Sequence, residues 1–104
     1  MTTLIKKGNG LIIGDFLTRE VYINGQFLTP VRSQKIHNHS PNGFSWGYGG
    51  SGPAQLALAI LLELTNGETA IELYQEFKWD MVATLPQDDF ELPIEKVTQW
   101  LCAH

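Results

Sequence analysis

Across residues 54–64 the only polar side chains are Gln55 and Glu63. A helix that is apolar on every side has to be buried, so the rest of the chain must be built around this segment. Pro53 suits a first helical position, where its missing N–H would have had no partner. Ser51 or Gly52 is the expected N-cap, and Asn66-Gly67 the expected end. The spacing predicts a buried first helix over about residues 53–65. With 104 residues, folding buries roughly two-thirds of the unfolded surface, which is enough for one modest core. A single domain, 1–104, is the expectation.

The other elements are shorter. Residues 4–17 are apolar but broken by Gly8, Gly10 and Gly14, and Leu11-Ile12-Ile13 reads as a short strand. Val21 and Ile23 alternate with Glu20 and Tyr22, then Asn24-Gly25 precedes Gln26-Phe27-Leu28. Asn-Gly between alternating runs predicts a hairpin, because both turn residues take positive φ. Residues 29–43 are polar, carry Pro30 and Pro41, and read as loop. Phe44-Ser45-Trp46 reads as a brief strand. A second helix is predicted over about 68–77, with Ala70, Ile71, Leu73, Tyr74 and Phe77 on one face. Residues 78–85 alternate Trp79, Met81, Ala83 and Leu85 with other residues, as a strand or a continuation of the second helix. After a turn at 86–89, a third helix starts at Pro93, with Ile94, Val97, Trp100 and Leu101 on one face. Strands first and helices later predict an α+β fold, a small antiparallel sheet with three helices.

Composition excludes several classes of function. The formal net charge is -4 and only 7 residues are Lys or Arg. They are scattered, with Lys6-Lys7 the one adjacent pair, so no nucleic-acid footprint is present. There is no basic amphipathic helix for a membrane surface. The apolar run is far shorter than the ~20 residues that cross a bilayer. Cys102 is the single cysteine, which excludes an intramolecular disulfide and multi-cysteine zinc sites. The start lacks the apolar stretch of a signal peptide, so a soluble cytoplasmic protein is expected.

The segment leading into the buried helix carries the candidate chemistry. Gly47-Tyr48-Gly49-Gly50-Ser51-Gly52 matches G-x-G-x-x-G letter for letter. A dinucleotide site also needs an apolar strand before it, and residues 38–43 are no such strand. The outer glycines have phosphate-loop spacing, yet Pro53-Ala54 stands where Lys followed by Ser or Thr is required. A nucleophile elbow around Ser51 fails at Pro53, where it needs glycine. A helix cap is the plainer role for Ser51.

His37 and His39 would lie on one side of an extended segment. Two imidazoles alone make a poor metal site, and a third ligand such as Asp15 or Asp88 would be needed. Gln55 is the lone polar group in the first turn of a buried helix. Its amide either bonds the loop backbone or faces a ligand. Phe44, Trp46 and Tyr48 alternate, so they form either an aromatic wall for a planar ligand or the edge of the core. Asp88, Asp89 and Glu91 read as a solvated turn, and Cys102 has no basic neighbour to activate it.

The run His39-Ser40-Pro41-Asn42-Gly43-Phe44, followed by Trp46-Gly47-Tyr48-Gly49-Gly50-Ser51-Gly52-Pro53-Ala54-Gln55-Leu56-Ala57-Leu58-Ala59, resembles the signature of a family of small bacterial, archaeal and phage-associated proteins. Phe77-Lys78 and Trp100-Leu101 resemble its later landmarks. That family is a domain of uncharacterised function, so the resemblance carries over no catalytic or binding residues. It implies one compact cytoplasmic domain, with a host–phage or regulatory role.

A glycine loop at a helix N-terminus is a ready anion site. The leading expectation is therefore a non-enzymatic binding module without catalytic residues, metal or cofactor. Its candidate ligand-binding residues are His39, Trp46, Tyr48, Gly49, Gly50, Ser51, Gly52 and Gln55, and its ligand is anionic or planar. The alternative is a protein–protein interaction domain, with a homodimer among the arrangements. A small hydrolase or metal enzyme using His37, His39 and Ser51 is the third reading.

Overall fold

Asn24 and Gly25 both take positive φ, 53° and 78°, and this local turn starts the sheet. The computed structural model describes residues 10–104, so the start of the predicted apolar stretch, with Gly8, lies outside the described residues. The fold is α+β. It divides into two compact units, residues 10–28 with Asp89–His104, and Thr29–Asp88.

The first unit holds an antiparallel sheet of four strands in the order β3-β2-β1-β4. The strands are β1 (Leu11–Asp15), β2 (Glu20–Ile23), β3 (Gln26–Phe27) and β4 (Phe90–Pro93). Ile12 pairs with Ile23 and with Leu92, and Gly14 with Val21 and with Phe90. These six residues share one face, as the two-residue period of a strand requires, and all six are buried. A Cβ on Gly14 would stand 2.2 Å from Phe90 Cε2, so glycine is needed there to seat the ring. β4 falls between the turn read at 86–89 and the helix read from Pro93, in residues assigned to no element apart from Pro93. Helix α4 (Ile94–Cys102) begins one residue after Pro93 and buries Val97.

The second unit is helical. Helix α2 (Ser51–Leu64) is buried continuously from Gly52 to Leu62. Leu56, Leu58, Ile60 and Leu61 are each 0% exposed, and burying such side chains contributes about 1.5–3 kcal/mol apiece. Its N-cap is Gly50, and Pro53 is the third helical residue rather than the first. Proline is tolerated there because none of the first N–H groups has an intrahelical partner. The helix ends at Leu64. Asn66 is instead the N-cap of α3 (Gly67–Phe77), its side chain accepting from Thr69 N at 2.8 Å. Two readings are corrected here, and the open one for residues 78–85 is decided for helical continuation. Residues read as loop hold a short helix, α1 (Val31–Ile36), and Phe44-Ser45-Trp46 forms no strand. The strand-like alternation after residue 78 belongs to a π-helical turn (Lys78–Val82) that prolongs α3 and is closed by Ala83 N donating to Lys78 O at 2.8 Å. There are thus four helices, not three, and α2 packs against α1, α3 and the π turn. Among the described residues no helix is long and apolar enough to cross a membrane.

Substituting Gly14→Ala forces the buried Phe90 ring to move, and overpacking of this kind costs about 1–3 kcal/mol. Urea denaturation is expected to show that loss, with part of it recovered when Phe90→Leu is added.

Candidate functional site

Gln55, the fifth residue of α2, is 0% exposed, and every bonding position of its amide is filled. Its Oε1 accepts from His39 N at 2.7 Å and Ser40 N at 2.9 Å. Its Nε2 donates to Ser33 Oγ at 2.9 Å and His37 O at 3.1 Å. Ser33 Oγ in turn donates to Pro30 O at 2.9 Å. One buried side chain therefore ties α1 and residues 37–40 to the first turns of α2. Of the two readings of Gln55, the backbone one describes these contacts, and the amide has no bonding capacity left for a ligand.

The segment that Gln55 holds presents two imidazoles. The His37 and His39 rings stack with centroids 3.9 Å apart and planes 13° from parallel, on one side of the chain as the alternation predicts. His39 Nε2 lies 2.7 Å from Tyr74 Oη on α3. Burial lowers the His39 pKa from its ordinary value of 6.5, and the neighbouring charges of His37 and Lys78 lower it further.

Lys78 opens the π turn and is only 8% exposed. No carboxylate or other acceptor among the described residues meets its ammonium group, which sits 4.3 Å from the centroid of the Trp79 ring. Trp79 is itself 58% exposed. Its ring lies against Gly49, where a Cβ would come within 2.2 Å of Cη2 and Cζ3. The Tyr48 ring covers Gly50 in the same way, with Cε2 2.5 Å from the Cβ position. Gly47, at φ +85°, turns the loop and is clamped by Gly47 N donating to Val82 O and by Gln87 Nε2 donating to Gly47 O.

Beyond that clamp the backbone donors run out of partners. The N–H groups of Tyr48, Gly49, Gly50, Ser51 and Gly52 have no acceptor among the described residues. They lead into a helix of 14 residues with no side-chain cap and no acidic residue in its first turn. Helix N-termini carry partial positive charge, and the first turn of α2 holds no acidic residue to offset it.

Comparison with known proteins adds one assignment. The model of a family of unknown function, DUF6166, matches residues 7–103. The chain belongs to that family. No curated protein and no solved structure matches it.

In this DUF6166 chain the candidate residues separate into two groups. Tyr48, Gly49, Gly50, Ser51 and Gly52 form one continuous loop-to-helix segment, and His39 lies on the strip held by Gln55. Trp46 stands apart. It is 0% exposed and its Nε1 donates to Asp88 O at 2.8 Å, and Phe44 is 6% exposed. These two rings are core, so the expected three-ring wall reduces to Tyr48. Ser51 makes no hydrogen bond to His37 or His39, so no nucleophile–base pair is assembled. Lys78, Trp79 and Tyr74 are the residues that sequence reasoning missed as site components. The one signal that could have found them was the helical period of α3 continued through residue 78.

Two outcomes follow from this geometry. Gln55→Leu leaves the part-buried Ser40 N–H without its acceptor, at about 1–3 kcal/mol, whereas His39 N–H and His37 O keep their mutual bond at 3.2 Å. Urea denaturation is expected to show a loss of about 1–3 kcal/mol, above that of Ser33→Ala. For His39, a folded pKa below the unfolded one means that the unfolded chain takes the proton first. Its contribution to stability is complete above pH 6.5 and is lost as pH falls below that value. Melting temperature between pH 8 and 5 is expected to fall more steeply in the wild type than in His39→Gln.

Proposed function

We propose that this protein is a small non-enzymatic binding module that holds an anionic group at the N-terminus of α2. The observation that carries this reading is the run of five N–H groups at residues 48–52 that have no acceptor among the described residues, at a helix N-terminus whose dipole adds to them. The glycines let the Trp79 and Tyr48 rings lie against the backbone, and Gly50 caps the helix without a side chain. Lys78, buried without a counter-ion in the same helical unit, supports it. Recognition would come from backbone donors rather than from a P-loop lysine and magnesium, which the motif lacks. The exposed rings of Trp79 and Tyr48 favour a second reading, a surface that docks another protein.

Amide chemical shifts and melting temperature, followed during titration with inorganic phosphate, sulfate and nucleotides, test the proposal. The expected result is shifts concentrated at residues 48–52 together with a rise in melting temperature. Ser51→Glu places a carboxylate in the first turn, at an exposed position. It is expected to raise stability by about 0.3–1 kcal/mol while abolishing anion binding. Anions that leave residues 48–52 unmoved would overturn the reading. A dimer that is indifferent to phosphate and lost in Trp79→Ala would favour the docking surface.

A further inference from the structure

An antiparallel sheet with one side on a core alternates apolar and polar residues, the polar ones outward. The inward side here holds Ile12, Gly14, Val21, Ile23, Phe90 and Leu92, all buried. The outward side should then read polar, and it does not. The strand register sets one row across it, with Phe27 beside Tyr22, Tyr22 beside Ile13, and Ile13 beside Glu91. The Phe27 and Tyr22 rings meet edge to face, with centroids 5.7 Å apart. Leu11 pairs with Pro93 next to this row, on the same side. None of these apolar side chains is buried, and Phe27 is 54% exposed. Apolar residues at outward strand positions are out of pattern for a side that meets only water.

The charge on this side has one sign. Asp15 and Glu20 pair directly beside the row, Glu91 closes its end, and all three are exposed. The four strands contain no Lys, Arg or His. Arg19, the residue before β2, holds its guanidinium over the Phe16 ring instead, 3.6 Å from the centroid. Asp15 also caps the turn that follows it, through Leu17 N and Thr18 N. Glu20 has no such role in the turn, and a like charge directly opposite Asp15 weakens the strand pairing. The negative field reaches the middle of the row. The Tyr22 hydroxyl donates to Glu20 Oε1 at 3.2 Å, and its pKa is raised first by that bond and then by the charge of Glu20, by burial and by Asp15.

We infer that the outward side of the sheet docks a short segment of a partner protein that carries lysine or arginine beside apolar side chains. Charge selects this occupant. A second copy laid face to face would bring Asp15, Glu20 and Glu91 against carboxylates, and like charges across an interface are costly. Size selects a segment. Four strands span about 14 Å, and strands of four or five residues about 15 Å. That is a fraction of the ~800 Å² that each partner of a stable complex buries. Nothing in this docking depends on an anion at the α2 N-terminus.

The test follows amide shifts of the full chain while two synthetic peptides are added, one of alternating lysine and valine and one of alternating glutamate and valine. The lysine peptide is expected to shift residues 13, 20, 22, 27 and 91. The glutamate peptide is expected to shift none of them. Raising salt from about 50 to about 200 mM is expected to weaken the lysine peptide severalfold, because exposed charges are screened over that range. This arm needs no variant to fold. Phe27→Ser is expected to lose roughly tenfold in affinity, and Glu91→Lys roughly threefold to fivefold. Both positions are exposed, so the melting temperature is expected to hold. A glutamate peptide that binds as tightly as the lysine one overturns the basic partner. Concentration-dependent shifts at residues 13, 22 and 27 in the free chain, with a doubled mass, place a second copy on this side and overturn the proposal. A lysine peptide that moves none of these residues overturns it as well, and so does one whose affinity is unchanged in Phe27→Ser and Glu91→Lys. Failure of the anion reading is seen separately, at residues 48–52 with phosphate.

Discussion

The amide of Gln55 is the interaction on which the helical unit depends. A helix buried on every side can accept a polar group only if each of its donors and acceptors is satisfied. Gln55 meets that condition by bonding two backbone N–H groups, a carbonyl and the Ser33 hydroxyl. An aliphatic residue there would pack against the segment without fixing its path. The amide instead sets where residues 37–40 run, and through Ser33 it sets where α1 lies. This explains how a six-residue helix with one buried side chain, Ser33, exists in a stretch without hydrophobic period. Isolated helices of that length are marginal in water, and α1 is held by a tertiary hydrogen bond rather than by propensity.

The same bonds set the ring environment. With its backbone N–H tied to Gln55, His39 carries its imidazole against His37 and Tyr74. It lies in a setting that disfavours protonation, chiefly through burial. Five residues before Gln55, at the N-cap of α2, the chain does the opposite. Gly50 caps the helix without a side chain, and the neighbouring N–H groups go unclaimed. One end of the first turn is thus fully satisfied internally and the other is left open. That contrast argues against a purely structural reading of the loop, since a cap of Ser, Asp or Asn would have satisfied one of those donors.

What the sequence disclosed tracks how local each determinant is. The hairpin at Asn24-Gly25 and the helix over residues 51–64 were legible, because turn chemistry and all-round apolarity are read within a few residues. β4 was not, since four residues ending in Pro93 become a strand only by pairing with β1 at the far end of the chain. Of the two readings of Trp46 the core one holds, because alternation implies a shared direction only in a strand, and residues 44–48 form none. Lys78 carried no signal beyond the continued helical period of α3. A buried cation looks like any surface lysine until the packing around it is known. The alternation of Trp79, Met81, Ala83 and Leu85 also masked the helical continuation that buries it.

Net charge bears on the proposed ligand in a way that separates two kinds of anion. With 11 acidic and 7 basic residues, the chain repels polyanions at long range, and a nucleic-acid groove needs many clustered cations that are absent. A single phosphate places a different demand. Backbone N–H groups contribute nothing to formal charge, yet their aligned dipoles act within one helical turn. Beyond about 8 Å, at physiological ionic strength, the net field is screened. Affinity for one small anion is then decided by the donors at close range. An acidic composition that disfavours a DNA groove is therefore compatible with the proposed backbone-lined anion site. Its salt dependence should be shallow, because neutral N–H groups release no counter-ions when they are occupied.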